Sequence, residues 1–233
     1  MNILALECSA GPVSAAVSVD DIIVSNAFSN INVTHSETLL PMVENVLKSA
    51  GLTLDDIDAF AVSNGPGSFT GVRIGIAAVK GMAAADGSPC VPVSTLYAMA
   101  KRFEGINATI CPVMDARRNQ VYNALFRVDN GEVKRLTEDR AISALELTKG
   151  LKNIEGSVYI CGDGIKVLKD LISDMKNVLI APIELRFQNA TGVLLSAIDM
   201  IAKGDTVSPQ ELLPSYLRLS QAERELKEKL KKD

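Results

Sequence analysis

Carboxylates and glycine pairs recur at corresponding places in the two halves of the sequence. Glu7 ends one apolar segment and Asp115 ends another, and each half later carries a Gly-x-Gly stretch, at Gly65–Gly67 and at Gly162–Gly164. Carboxylates hold Mg²⁺, and the free amides at helix starts bind phosphates. We therefore predict that one cleft between two related units collects a vestigial nucleotide site: Glu7, Ser9, Gly65, Gly67, Asp115, Arg117, Gly162 and Asp163.

The glycine loop SNGPGSFTGVRIG, residues 63–75, fails the known phosphate-loop patterns. Its glycine spacing is not that of a dinucleotide fold, and no lysine follows as in a P-loop. Ser68 does not lie in a G-x-S-x-G motif, because Pro66 stands two residues before it, and His35, the one histidine in the chain, cannot supply a two-histidine metal site. We predict no metal site, no catalytic residue and no peptidase activity. An ATP-dependent phosphotransferase using Glu7, Asp115 and Asp163 around Mg²⁺ remains as an alternative.

Apolar periodicity predicts the elements of the first half. Strands are expected at 3–8, 13–19, 22–28 and 56–64, and helices at 34–50, 70–87 and from Ser94 onward. Thr34 and Glu37 have the spacing of a capping box, and Gly51 suits the residue after a helix.

The second half repeats this order about 100 residues later. Strands are expected at 109–116, 121–128 and after Gly131, then a helix from Ser143, a strand at 157–161 and a helix at 189–204. After Pro209 a strand and a basic helix are expected. Such a duplicated pattern looks like the actin/Hsp70/sugar-kinase superfamily. We therefore predict an α/β fold of two tandem ribonuclease-H-like domains, each a mixed sheet flanked by helices, at 1–105 and 106–233, with the tail 209–233 returning to the first domain.

Composition limits the classes of partner. The net charge of −4 argues against a protein that grips nucleic acid alone, and the last basic stretch, RELKEKLKK, alternates with glutamate like a solvated helix face. The four scattered cysteines are expected to be buried free thiols. No apolar run is long enough to cross a bilayer, so we expect a cytoplasmic protein with no membrane partner.

The helix predicted after the glycine loop carries a stripe of small side chains. Gly71, Gly75 and Ala78 follow one another at helical spacing, which would let another helix approach closely; packing inside the same domain is the alternative. Arg73 and Lys80 share a different face and are expected to point to solvent or to a partner. The sequence therefore favours a docking helix over a phosphate cradle.

Five stretches together resemble the bacterial TsaB (YeaZ) family along essentially the whole chain: HSETLLP (35–41), GPGSFTGVRIG (65–75), DARRNQVY (115–122), GDG (162–164) and YLR (216–218). The resemblance implies a non-catalytic subunit of the machinery that makes threonylcarbamoyladenosine in tRNA, next to the anticodon. It would bind and activate the catalytic paralogue TsaD, with the ATPase TsaE joining them and tRNA reaching the complex. A homodimeric binding module without a catalytic partner is a further alternative.

The resemblance also implies where the partner binds. A helical face of the first domain would hold TsaD, and the same face would form a homodimer when the chain is isolated: Thr34, His35, Thr38, Leu39, Met42, Ser68, Thr70, Gly71, Arg73, Gly75 and Ala78. No cofactor is required by this chain, while ATP or ADP and Mg²⁺ are expected only in the complex. Two positions depart from the family: Glu7-Cys8-Ser9 replaces Asp-Thr-Ser, and Gln120 replaces glutamate. Both changes weaken a direct nucleotide role.

Overall fold

Small and β-branched residues build a five-stranded first sheet. The structure is a computed structural model that describes residues 1–31 and 34–218. The strands are β1 (Asn2–Glu7), β2 (Val13–Val19), β3 (Ile22–Ser29), β4 (Ala59–Gly65) and β5 (Cys90–Ser94). Their order is β3-β2-β1-β4-β5, with an antiparallel meander of β3, β2 and β1 followed by parallel β4 and β5.

Three helices follow the strands of the first sheet: α1 (His35–Ala50), α2 (Phe69–Ala83) and α3 (Thr95–Lys101). α1 and α2 cover one face of the sheet, where Leu39, Val43, Val72 and Ile76 join a buried apolar cluster. Gly51 ends α1 in the left-handed conformation, as its position predicts. The expected capping box is absent, because the side chain of Thr34 makes no cap bond and Thr38 Oγ1 instead donates to the Thr34 carbonyl.

A second sheet begins at β6 (Ala108–Asp115). It continues with β7 (Gln120–Asn123), β8 (Phe126–Asp129), β9 (Glu132–Arg135), β10 (Arg140–Ser143), β11 (Val158–Cys161) and β12 (Val178–Ile180). The main order is β10-β7-β6-β11-β12. In addition, β8 pairs with β6, and β9 pairs with β8. The helices α4 (Ala144–Leu151) and α5 (Ile165–Leu168) accompany this sheet.

The prediction of a single strand over 121–128 is wrong. The segment is split into β7 and β8, because the Leu125 carbonyl accepts hydrogen bonds from the amides of Leu136 and Thr137 instead of a ladder neighbour. The buried Asn123 amide at the break donates to the carbonyls of Pro112 and Ala124. The short strands β10 and β12 were not expected from the sequence.

The last helix, α6 (Ala190–Ala202), packs on the first sheet although it follows the second in sequence. Its Val193, Leu194 and Ala197 join Ile3 and Ala5 in a buried cluster on the face opposite α1 and α2. The chain therefore returns to the first unit at residue 190, earlier than the expected 209. The strand expected after Pro209 is absent from residues 209–218, and the basic helix expected beyond lies outside the described residues.

Two expectations from the composition concern the state of the cysteines and the length of apolar helices. All four cysteines are buried free thiols, as predicted. Within the described residues, no helix is long and apolar enough to cross a membrane.

Candidate docking surface and interdomain cleft

The glycine loop is a tight connection from β4 to α2. Gly65 has φ +123°, and the peptide bond to Pro66 is cis. Ser68 caps α2 by accepting a hydrogen bond from the amide of Gly71, while its own amide donates to the Ser9 carbonyl at 2.6 Å. The loop is thus bound to the end of β1 through its backbone.

The glycines of this stretch pack inside the first unit. A Cβ atom on Gly67 would lie 2.4 Å from the Ser9 carbonyl oxygen, and one on Gly71 would lie 2.0 Å from that of Cys8. On Gly75 it would meet the Cys8 sulfur at 2.7 Å. The prediction that Gly71 and Gly75 belong to the partner face is therefore wrong: they let α2 approach its own sheet closely.

The outward face of α2 carries a different row of small residues. Ala77, Gly81 and Ala84 are exposed at helical spacing, with Thr70 two turns earlier, and the partly exposed Ile74 lies beside them. Ala78 is half-buried and packs against the core. This row, the outer row of α2, consists of Thr70, Ala77, Gly81 and Ala84, and it carries no charge.

α1 lies beside α2 on the same face of the sheet, and only some of its residues predicted for the partner face are exposed. Thr34 is exposed, Thr38 and Met42 are partly exposed, and Leu40 is 51% exposed. Leu39 is 1% exposed and points into the core, so its assignment to the partner face is wrong. The next residue, Leu40, is exposed on another side of α1 and was not among the residues predicted for the partner face.

The third side of α2 contacts the returning chain, although Arg73 itself stays exposed. Arg73 Nε donates to the Tyr216 hydroxyl at 2.6 Å, and its guanidinium lies 5.9 Å from the ring centre of Phe69. The rings of Phe69 and Tyr216 stack at 4.4 Å. Lys80 Nζ donates to the Gln210 carbonyl at 3.2 Å. The charged face of α2 thus binds this chain's own C-terminal segment.

The two units enclose a cleft with a cavity of about 540 Å³. Five of the predicted cleft residues line it: Ser9, Gly67, Asp115, Arg117 and Asp163. Lys166, which was not predicted, and His35, which was predicted for the partner face, line it as well. His35 Nε2 lies 2.8 Å from the Ala10 carbonyl oxygen. Gly65 and Gly162 do not line the cleft, because they pack on the backbones of Ser215 and Val113.

Glu7 lies behind the cleft wall. It is 1% exposed, and Oε1 accepts a hydrogen bond from the Ser9 amide at 2.6 Å. Within the described residues, Oε2 has no hydrogen-bond partner. Burial raises the pKa of this carboxyl, an effect that the Ser9 amide and the neighbouring Ser63 and Ser9 hydroxyls only partly offset. Glu7 is therefore enclosed by the protein and is a poor ligand for Mg²⁺ in the cleft.

The two other carboxylates already have partners within the protein. Asp115 accepts a hydrogen bond from the Arg117 amide at 2.7 Å, and its Oδ2 lies 3.2 Å from Lys166 Nζ. Asp163 accepts from the Gln188 side chain at 2.9 Å, and burial raises its pKa. In the described part of the chain, no group of three or more His, Cys, Asp or Glu residues could hold a metal. In the cleft, Asp115 and Asp163 are therefore held by side chains of this chain.

Two sheets in tandem, each with its own helices, define a two-domain α/β protein of the actin/sugar-kinase type, as predicted. A family model described as TsaD, tRNA N6-adenosine threonylcarbamoyltransferase, matches residues 25–226. The chain is 32% identical to the Escherichia coli tRNA threonylcarbamoyladenosine biosynthesis protein TsaB, over 97% of this chain and 98% of the relative. The Bacillus subtilis protein of the same name is 28% identical, with 96% of each chain covered.

A solved structure agrees with these relatives. YeaZ from Pseudomonas aeruginosa superposes with a TM-score of 0.76 at 28% identity, covering 93% of this chain and 99% of that chain. The protein belongs to the TsaB (YeaZ) family, within the wider group that the TsaD model describes.

Proposed function

We propose that this chain takes part in the biosynthesis of threonylcarbamoyladenosine in tRNA as a non-catalytic subunit that binds and activates TsaD. Its relatives carry the name of this pathway, and the family model that matches it describes the transferase itself. TsaE and tRNA would join through the assembled complex. ATP or ADP and Mg²⁺ would act there and not in the cleft of this chain.

The outer row of α2 is the observation that carries the proposed docking role. Its exposed side chains are small and uncharged, and the partly exposed Ile74 of α2 lies beside them with apolar surface. Small side chains allow a partner helix to approach to the short end of the usual interaxial range, and adjacent apolar side chains supply the buried area. The sheet-facing side of α2 packs against the end of β1, and its charged side contacts residues 210–216.

The internal pairing of the cleft carboxylates supports the non-catalytic part of the proposal. Phosphoryl transfer needs ionised groups that can hold a metal and phosphates. Here Glu7 is buried with a raised pKa, while Asp115 and Asp163 are engaged with Lys166 and Gln188. The purified chain should therefore show no ATP hydrolysis. A rate abolished by Glu7→Ala would overturn this part.

The docking role is tested with Ala77→Arg. A long charged side chain in the middle of the outer row would hold a partner helix away, so TsaD should bind about 30-fold more weakly, equivalent to about 2 kcal/mol. The matched control is Ala202→Arg, at an exposed alanine at the end of α6, on the opposite face of the sheet.

Binding is measured by calorimetry with purified TsaD, and the modified nucleoside is measured in tRNA from cells that carry each variant. Unchanged binding and modification with Ala77→Arg would exclude the outer row as the docking surface. Gly75→Arg is unsuitable for this test, because its side chain would collide with Cys8 and Val62 inside the domain.

A further inference from the structure

The edge strand β3 is long, apolar and free of charge. It has eight residues, Ile22–Ser29, and pairs with β2 on one side only. Ile22 is 68%, Val24 45% and Phe28 43% exposed. At about 3.4 Å per residue, the strand presents roughly 27 Å of edge to which no strand of the described residues pairs.

Exposed edges in soluble proteins are normally protected against pairing with another strand. Lysines, prolines, inward-pointing charges and bulges are the usual devices. β3 contains no charged residue and no proline, and its one protective feature is a bulge at Val24, where the register with β2 shifts. The five residues that follow the bulge pair regularly with β2. This edge is therefore competent to accept a further strand.

We infer that β3 pairs antiparallel with β3 of a second copy of this chain, joining two first sheets across a two-fold axis. An antiparallel pair of identical strands is self-complementary, so one contact satisfies both edges. The inference concerns a surface different from the outer row of α2. It does not depend on the proposed docking of TsaD.

Charge selects the antiparallel arrangement. Asp20 and Asp21 precede β3 at one end, and the uncharged Asn30 and Ile31 follow it at the other. Antiparallel pairing places each acidic turn beside the neutral end of the other copy, whereas parallel pairing would bring four carboxylates together. The carboxylate of Asp20 is moreover balanced by the N-terminal ammonium at 2.5 Å.

Apolar surface continues beyond the end of the strand. Phe28 lines a groove of about 370 Å³ together with Ile183 and Phe187 of the second unit. Ile31 is 62% and Ile183 67% exposed. A second copy seated on β3 would bury part of this surface as well, adding to the small area that strand pairing alone provides toward the roughly 1,000 Å² that a specific interface needs.

Single cysteines near the middle of β3 test the pairing. A two-fold axis between identical antiparallel strands passes beside one residue, which then faces its own counterpart in the second copy. The two residues at the middle of β3, Ser25 and Asn26, lie on opposite faces of the sheet, so Ser25→Cys and Asn26→Cys are tested separately. All four native cysteines are buried and should not compete. Mild oxidation or a short bismaleimide should convert at least one variant to a covalent dimer. Ser173→Cys is the exposed control, and Thr70→Cys reports association through the outer row of α2. Cross-linking of neither β3 variant above the Ser173→Cys level would overturn the inference.

A charge at the edge tests the same contact by equilibrium. Val24→Lys should raise the dimer dissociation constant at least tenfold, about 1.4 kcal/mol, measured by sedimentation. Leu54→Lys, at a similarly exposed leucine (43%), should not change it. If Ala77→Arg abolishes the dimer and Val24→Lys does not, association uses the helical face and the β3 inference is wrong. If the reverse holds, the inference stands whether or not TsaD binds the outer row.

Discussion

The two glycine turns of this protein solve the same packing problem and then lead to different structures. In the first unit Gly67 and Gly71 approach the end of β1, and in the second unit Gly162 approaches the end of β6. The first turn continues into the fifteen-residue α2, whereas the second continues into the four-residue α5. The glycines are needed for close backbone packing in both units, and only the first unit adds a helix long enough to present a surface.

The acids that end β1 and β6 differ in the same way. Glu7 is enclosed by the protein, and its charge is disfavoured by burial. Asp115 sits at the cleft and is held by Arg117 and Lys166. The two carboxylates hold corresponding positions at the ends of β1 and β6, but Glu7 is enclosed by the protein whereas Asp115 is paired with basic side chains at the cleft.

The largest expected effect comes from adding a methyl group at the close approaches. Gly71→Ala should lower the free energy of unfolding by about 2–4 kcal/mol, because backbone cannot move away from Cβ as a flexible side chain can. Gly162→Ala should lower the free energy of unfolding by about 1–3 kcal/mol more than Gly71→Ala does, because the φ of +109° at Gly162 is also strained for alanine. Urea unfolding measures both. Equal stability of either variant and the parent would show that close packing is not the role of that glycine.

An intermediate effect is expected from Glu7→Gln, and it depends on pH. Because the folded pKa of Glu7 is raised above its ordinary 4.5, its contribution to stability is fully present below that pH and is lost as pH rises through the folded pKa. The variant removes this loss, so its stability should fall less than that of the parent between pH 4.5 and 8.

Asp115→Asn is the matched control for this pH profile. Its partners Arg117 and Lys166 are largely exposed, and such pairs contribute about 0–1 kcal/mol. Because the pKa of Asp163 is also raised, stability falls with rising pH for this second reason in the parent, in Glu7→Gln and in Asp115→Asn. Superimposable profiles for Glu7→Gln and the parent would contradict the burial of an ionisable Glu7.

The smallest effect is a gain. Gly81→Ala places a methyl group where no atom lies within 4 Å, in the interior of α2, and should stabilise the fold by about 0.5–1 kcal/mol. Gly150→Ala in α4 is the control, with a smaller gain, since Gly150 lies one residue from the end of its helix. A loss of stability at Gly81 would mean that the outer row is packed against the protein itself and is not free to bind a partner.

The choice between two rows of small residues shows where the sequence was ambiguous. Gly71, Gly75 and Ala78 repeat at the same spacing as Ala77, Gly81 and Ala84, about 120° away around α2. Helical periodicity identifies both rows but does not say which one faces the sheet. Leu39 and Leu40 posed the same question in α1, where adjacent leucines point to different sides.

The sequence by itself determined the local elements and the family. Its apolar periodicity predicted the meander, most helices and the buried cysteines, and its motifs predicted the two-domain fold, because these signals arise from residues close together in the chain. The tertiary structure decided which small residues face outward, that Arg73 binds Tyr216, that Glu7 is sealed from the cleft, and that α6 returns to the first sheet. Each of these depends on contacts between residues far apart in sequence, where spacing along the chain carries no information about the partner.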